Sequence, residues 1–349
     1  MTTMQIALPK PTLAHRLLHA WAVLTVVASA CAIALGSVVT TFKFGMEDWL
    51  WPTAPWHLFV IDWTEPSTGY LIEHSHRLAA YLAGFCFTGF ALASFFVRTG
   101  RNLRWLGLAA LAAVIGQGVL GGTRVLFDVQ MGKNLALIHG TFAQVVFSLS
   151  VAIAIFTSPR LRTGSAVSAT DSTRAFRLSL LLTAVAFGQL VWGAVLRHTL
   201  SPLSQRGHLL TAFLVVAVIV WLAKTVLENS GLRRVLRWPV GLLLVLVTVQ
   251  VLLGVEAYLY RFTAATVPDA VPLTIGQAAL RSLHVLVGSW ILAAAVSCAV
   301  LTYLARRAEV KESGERDQEP AATRVPVAKE TALQPAAVLN GARHLEGRL

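Results

Sequence analysis

Eight stretches of roughly twenty apolar residues divide this chain almost from end to end, too many for one water-surrounded core to bury. They fall at about 18–39, 75–97, 103–122, 135–156, 176–196, 208–227, 239–260 and 277–305. Only 13% of the residues are charged and the mean hydropathy is +0.65, against roughly 25% charged in a soluble domain. Lipid is therefore the expected solvent, and backbone inside lipid must bond to itself. The Leu, Ala and Val content, without period-two alternation, selects helices over a barrel. The expected fold is all-α and polytopic, with eight transmembrane helices arranged as two repeated four-helix units. The first span is too long for a cleaved signal and lacks a small-residue cleavage site. Cys31, Cys86 and Cys298 each lie within an apolar run and read as packing residues.

Counting Lys and Arg in alternate connections gives thirteen on the side of the N-terminus and eight on the other. The positive-inside rule then places both termini in the cytoplasm, and the formal charge of +12 is chiefly this bias facing anionic lipid. A nucleic-acid partner is not expected. The divisions follow: a cytoplasmic N-terminus at 1–17, a first four-helix half at 18–157, a cytoplasmic linker at 158–175, a second half at 176–305 and a polar tail at 306–349, expected to be disordered. The outer loop at 41–72 mixes Glu47, Asp48, Asp62 and Glu65 with Trp49, Trp51, Trp56 and Trp63. It suits an ordered interfacial cap or, equally, a solvated loop with belt tryptophans.

Internal similarity marks where a site lies. Gln117 and Gly121 in the third span, Gln189 and Gly193 in the fifth, and Gln250 and Gly254 in the seventh share one spacing. A unit of four crossings repeated twice runs in the same sense, so corresponding residues should sit at equal depth. His76, His139, His208 and His284 obey that rule, one near the outer end of each even-numbered span. A single intramembrane histidine is usually a hydrogen-bonded structural residue, whereas four at matched depth point to a function. Four positions after each stands a small residue, Ala80, Ala143, Ala212 or Gly288. These leave a gap beside each imidazole that suits a flat macrocycle or, equally, close helix packing. Facing imidazoles without thiolates or clustered carboxylates suit haem iron better than zinc or di-iron, and two pairs imply two haem sites. His74 lies about 200° around the helix from His76 and is expected to face away.

One feature breaks the repeat. Glu73 shares a helical face with His76, whereas Gln205 stands at the matching position before His208. A carboxylate at one site alone marks that site for chemistry. The plainer reading, slightly favoured by spacing, is an ion pair between Glu73 and Arg77; Arg77 is alternatively a partner for a porphyrin propionate.

The run Glu73-His74-Ser75-His76-Arg77 resembles the Glu-x-x-His-Arg signature of the haem A synthases, eight-helix membrane enzymes of bacteria and mitochondria. Gly36 to Thr41, Gly45-Met46 and Trp51-Pro52 are similar to that family's glycine-rich lead-in to its first outer loop, and the likeness covers roughly 18–305. The resemblance implies oxidation of a methyl group of haem O, by two successive hydroxylations, to the formyl of haem A. It implies His76 and His139 around the substrate haem iron, Glu73 as the catalytic carboxylate, and His208 and His284 on the iron of a haem b that passes electrons onward to an unidentified acceptor. Implied partners are haem O synthase and cytochrome oxidase assembly factors, and the implied location is a bacterial plasma membrane with both haem sites near the outer face. Two departures stand out. The outer-loop cysteine pair of many relatives is missing, and the family's Asp-Trp-Pro is spread over Asp48 to Pro52.

A non-catalytic dihaem electron carrier of cytochrome b type would use the same four histidines, although it usually stacks its haems across the bilayer. A transporter built from parallel repeats, with the histidines as proton sites, would carry no pigment.

Overall fold

The computed structural model describes residues 12–48, 56, 67–97, 99–159, 169–199, 201–262 and 274–318. Among them are eight helices and no strand: α1 (Leu13–Phe42), α2 (Thr68–Phe96), α3 (Arg101–Leu126), α4 (Asp128–Thr157), α5 (Ala169–Thr199), α6 (Pro202–Glu228), α7 (Ser230–Phe262) and α8 (Ile275–Gln318). Each is long and apolar enough to cross a membrane. The chain is a polytopic helical membrane protein, as its hydropathy requires.

The helices outrun the apolar spans. They are 26 to 44 residues long, whereas about 20 residues cross the hydrocarbon. Hydropathy marks where lipid begins; helical hydrogen bonding continues into water wherever side chains permit it. Thus α2 starts at Thr68, and α8 continues beyond Ala305 through Arg306 and Arg307 to Gln318. The first part of the expected tail is therefore helical, and 319–349 lies outside the described residues, as does the outer-loop stretch 49–66 apart from Trp56. Residues Met1–Glu309 form one compact unit and Val310–Leu349 a second.

Within the first unit each half has its own core. Leu18 and Ala22 of α1, Phe87 and Phe90 of α2, Ala110 of α3 and Val146 and Ile153 of α4 form one cluster. A larger one gathers Leu182, Leu222, Leu236, Leu243, Leu292 and their neighbours from α5 to α8. The halves meet where Phe147 and Val151 of α4 pack against Ala293 of α8, with the Phe147 and Trp290 rings edge to face at 5.4 Å. Cys86 and Cys298 are buried packing residues, and none of the three cysteines is bridged.

Polar side chains in the spans turn back on their own helices. Thr25 donates to Trp21 O at 2.9 Å, Ser29 to Thr25 O at 2.8 Å and Thr302 to Cys298 O at 2.7 Å, the usual satisfaction of a hydroxyl in lipid. The C-terminal ends of α1 and α5 meet the N-terminal part of α8. There Arg197 donates to Thr41 Oγ1 at 2.6 Å and Ser37 O at 3.2 Å, and Thr41 Oγ1 lies 3.2 Å from Ser282 Oγ.

Candidate functional site

That end of the bundle carries the four histidines. Each lies within the first twelve residues of an even-numbered helix, and each is half-buried. Each ring also rests against a glycine of the helix that precedes its own. A methyl group built on Gly36 would stand 2.8 Å from the His76 ring, on Gly121 3.2 Å from His139, on Gly193 3.0 Å from His208, and on Gly254 3.3 Å from His284. Contacts under about 3.4 Å are tighter than carbon packing normally allows. The missing side chain is therefore what lets each imidazole lie on its neighbour's backbone.

The repeat is thus finer than two halves. A two-helix hairpin, with glycine on the first helix and histidine on the second, occurs four times. Three members also carry glutamine one turn before the glycine. Gln117 Nε2 donates to His139 O at 3.1 Å and lies 3.2 Å from His139 Nδ1. Gln189 Nε2 lies 3.5 Å from His208 Nε2, and Gln250 Nε2 3.3 Å from His284 Nε2. In the fourth, Ala32 takes the glutamine's place, and its carbonyl oxygen pairs with His76 Nδ1 at 2.9 Å. A backbone acceptor at Nδ1 leaves Nε2 as the free, basic nitrogen of that ring.

His208 and His284 face each other, ring centres 6.2 Å apart and planes at 67°. Two imidazoles that each approach one iron atom at about 2 Å through a ring nitrogen stand roughly 6 Å apart, centre to centre. Spacing and donor type therefore fit a bis-histidine haem iron. His76 lies within electrostatic reach of His139, but these two rings make no such contact. Among the described residues no group of three or more His, Cys, Asp or Glu side chains is arranged to hold a metal ion, so histidine pairs are the available ligand sets. The gap expected at Gly288 is faced by Leu190 Cδ2 and the Gln250 amide, 3.2 and 3.3 Å from where a methyl group would stand.

The second assembly surrounds Glu73. Its Oε2 accepts hydrogen bonds from Glu47 N at 2.8 Å and Asp48 N at 2.9 Å, and its Oε1 accepts from Arg77 Nη2 at 2.8 Å. Arg77 also donates to the Asp48 carbonyl and lies 3.0 Å from Asp48 Oδ2. His74 Nδ1 pairs with Asp48 Oδ2 at 3.1 Å, and its ring stacks on Tyr70 at 5.4 Å. Glu73, Asp48, Arg77 and His74 are at most 7% exposed. Of the two partners considered for Arg77, the structure shows Glu73, and Asp48 joins it. His74 does leave the His76 face, yet it closes this network and does not point at lipid.

Arg124, one of the eight cations counted opposite the N-terminus, lies in the last turn of α3. It lies within electrostatic reach of both His76 and His139, and its Nε is buried without a hydrogen-bond partner.

No family model matches the chain, and no curated protein matches it. The fold and the site together define an eight-helix membrane protein carrying four glycine-seated histidines at one end.

Proposed function

We propose that this protein is a haem A synthase, oxidising a methyl group of haem O to a diol that loses water and leaves the formyl of haem A. The observation that carries the reading is the four glycine-seated histidines, with one pair already at the separation that a shared iron requires. In this reading His208 and His284 hold a haem b, which supplies electron transfer away from the substrate when bound. Ligation needs the flexible Gln189 and Gln250 amides to turn aside from the Nε2 atoms. His76 and His139 hold the substrate haem, with His76 oriented by Ala32 O. Because Arg77 is committed to two carboxylates, Arg124 is the better partner for a substrate propionate. Glu73, held by three donors, supplies a fixed anion where positive charge develops on the porphyrin edge. Both termini cytoplasmic, a bacterial plasma membrane, and haem O synthase and oxidase assembly factors as partners belong to the same proposal.

Expressed in a host that makes haem O, the wild-type chain should yield haem A in extracted pigment. Glu73→Gln should retain bound haem and lower conversion by ~10² to 10³. Conversion at the wild-type rate would overturn the role given to Glu73. One observation favours a second reading, a non-catalytic dihaem carrier: both oxygens of the Glu73 carboxylate are already hydrogen-bonded, by Arg77 and the 47–48 backbone, as in a structural ion pair. Haem O left unconverted by a wild-type chain that binds two haems would select that reading.

A further inference from the structure

A cavity of about 450 Å³ lies between the end of α6 and the start of α7, remote in the chain from every histidine above. One stripe of α7 lines it, changing character along its length. The first two turns contribute Ser230, Arg233, Arg234 and Arg237; the next two contribute Val240, Gly241 and Leu244, faced by Val226 and Leu227 of α6. At 1.5 Å per residue the stripe from Arg234 to Leu244 is roughly 15 Å long. It therefore runs from a cationic rim into the apolar zone, the polarity sequence of a phospholipid.

Further features agree with that match. Arg233, Arg234 and Arg237 are exposed, and among the described residues no carboxylate lies within ion-pair distance of any of them; nearby Glu228 is shared with Lys224 at 3.8 Å. The first turn of α7 is already capped by Asn229, whose Oδ1 accepts from Leu232 N at 2.9 Å and whose amide donates to the Asp171 carboxylate, so the attraction for an anion rests on the three guanidinium groups. Arg237 sits over the Trp238 ring at 5.6 Å, with Trp238 77% exposed, as in a membrane-interface anchor. A side chain added at Gly241 would meet nothing within 4 Å, so the groove is open beside the backbone.

We infer that this groove is a binding site for an anionic glycerophospholipid, its phosphate against the three arginines and one acyl chain along Val240, Gly241 and Leu244. Charge and groove make separate contributions. Removing an arginine near an anionic headgroup weakens attraction roughly fivefold, whereas filling the groove at Gly241 blocks the chain and leaves the charge unchanged.

Native mass spectrometry of the detergent-purified full chain tests both, with dioleoylphosphatidylglycerol, dioleoylphosphatidylcholine and inorganic phosphate as separate probes. The expected result is retention of phosphatidylglycerol over phosphatidylcholine, a loss of at least tenfold in the R233Q/R234Q/R237Q variant, and a clear loss in Gly241→Trp with all three arginines intact. Inorganic phosphate should neither be retained nor compete. Equal retention of the two lipids, or an unchanged profile in the triple variant, would overturn the site. Retention of inorganic phosphate together with no effect of Gly241→Trp would reduce it to a phosphate site and overturn the lipid assignment. Helical content by circular dichroism should match wild type in both variants, since these positions are exposed or open.

Discussion

The two halves repeat one hairpin, yet they use it differently. In the second half two imidazoles already face each other at 6.2 Å, each beside a glutamine amide. In the first half His139 also lies beside a glutamine amide, and His76 Nδ1 pairs with Ala32 O at 2.9 Å much as His208 Nδ1 does with Gln189 O at 3.3 Å. What differs is that the two rings of the first half do not face each other and that a buried network of Glu73, Arg77, Asp48 and His74 clamps the chain at 47–48 onto α2. Duplication supplies the scaffold, and charge added to one copy supplies asymmetry. Among the described residues the glycine-histidine hairpin recurs four times, whereas the buried carboxylate–arginine clamp stands on the histidine helix of one hairpin alone.

Breaking the clamp should have the largest effect on stability. Arg77→Ala leaves Glu73 and Asp48 buried without their cation, which costs about 3–5 kcal/mol. Thermal unfolding in detergent should show a strongly lowered midpoint. Leu209 occupies the matching position after His208 and is 40% exposed, so Leu209→Ala should change the midpoint little. Equal effects of the two substitutions would erase the asymmetry.

The glycine seats come next. Gly36→Ala places a methyl group 2.8 Å from the His76 ring, and relieving such overpacking costs about 1–3 kcal/mol. It should also weaken haem retention at the first site, read from the absorption spectrum of the purified protein. Gly254→Ala, with 3.3 Å available beside His284, should shift the second site's spectrum slightly and the midpoint by less than about 1 kcal/mol. The reverse order would show that the seats are not what positions the rings.

Much of this was legible in the sequence because lipid leaves a chain few choices. The eight spans, the helical class and the matched depth of His76, His139, His208 and His284 follow from apolarity and repetition. Gly121, Gly193 and Gly254 were visible through their glutamines, but their part as seats was not. Gly36 escaped that pattern because Ala32 does its work with a carbonyl oxygen, and backbone acceptors leave no trace in side-chain identity. Asp48 escaped for another reason: it meets Glu73, His74 and Arg77 across a loop, and no helical spacing connects positions so far apart. Arg77 had two candidate partners on chemical grounds alone, and only geometry separates them. Apolarity marks the spans and not the helix ends, so the helices run past them wherever they leave the apolar zone, as α8 does after Ala305.

Whether the paired histidines hold iron is read from the low-temperature absorption spectrum of the purified chain from a haem-replete host. A low-spin bis-histidine haem signal is expected, of which the component held by the second pair disappears in both His208→Ala and His284→Ala while the whole spectrum persists in His74→Gln. A colourless wild-type protein, or spectra of both variants identical to the wild type, would show that this pair holds no iron.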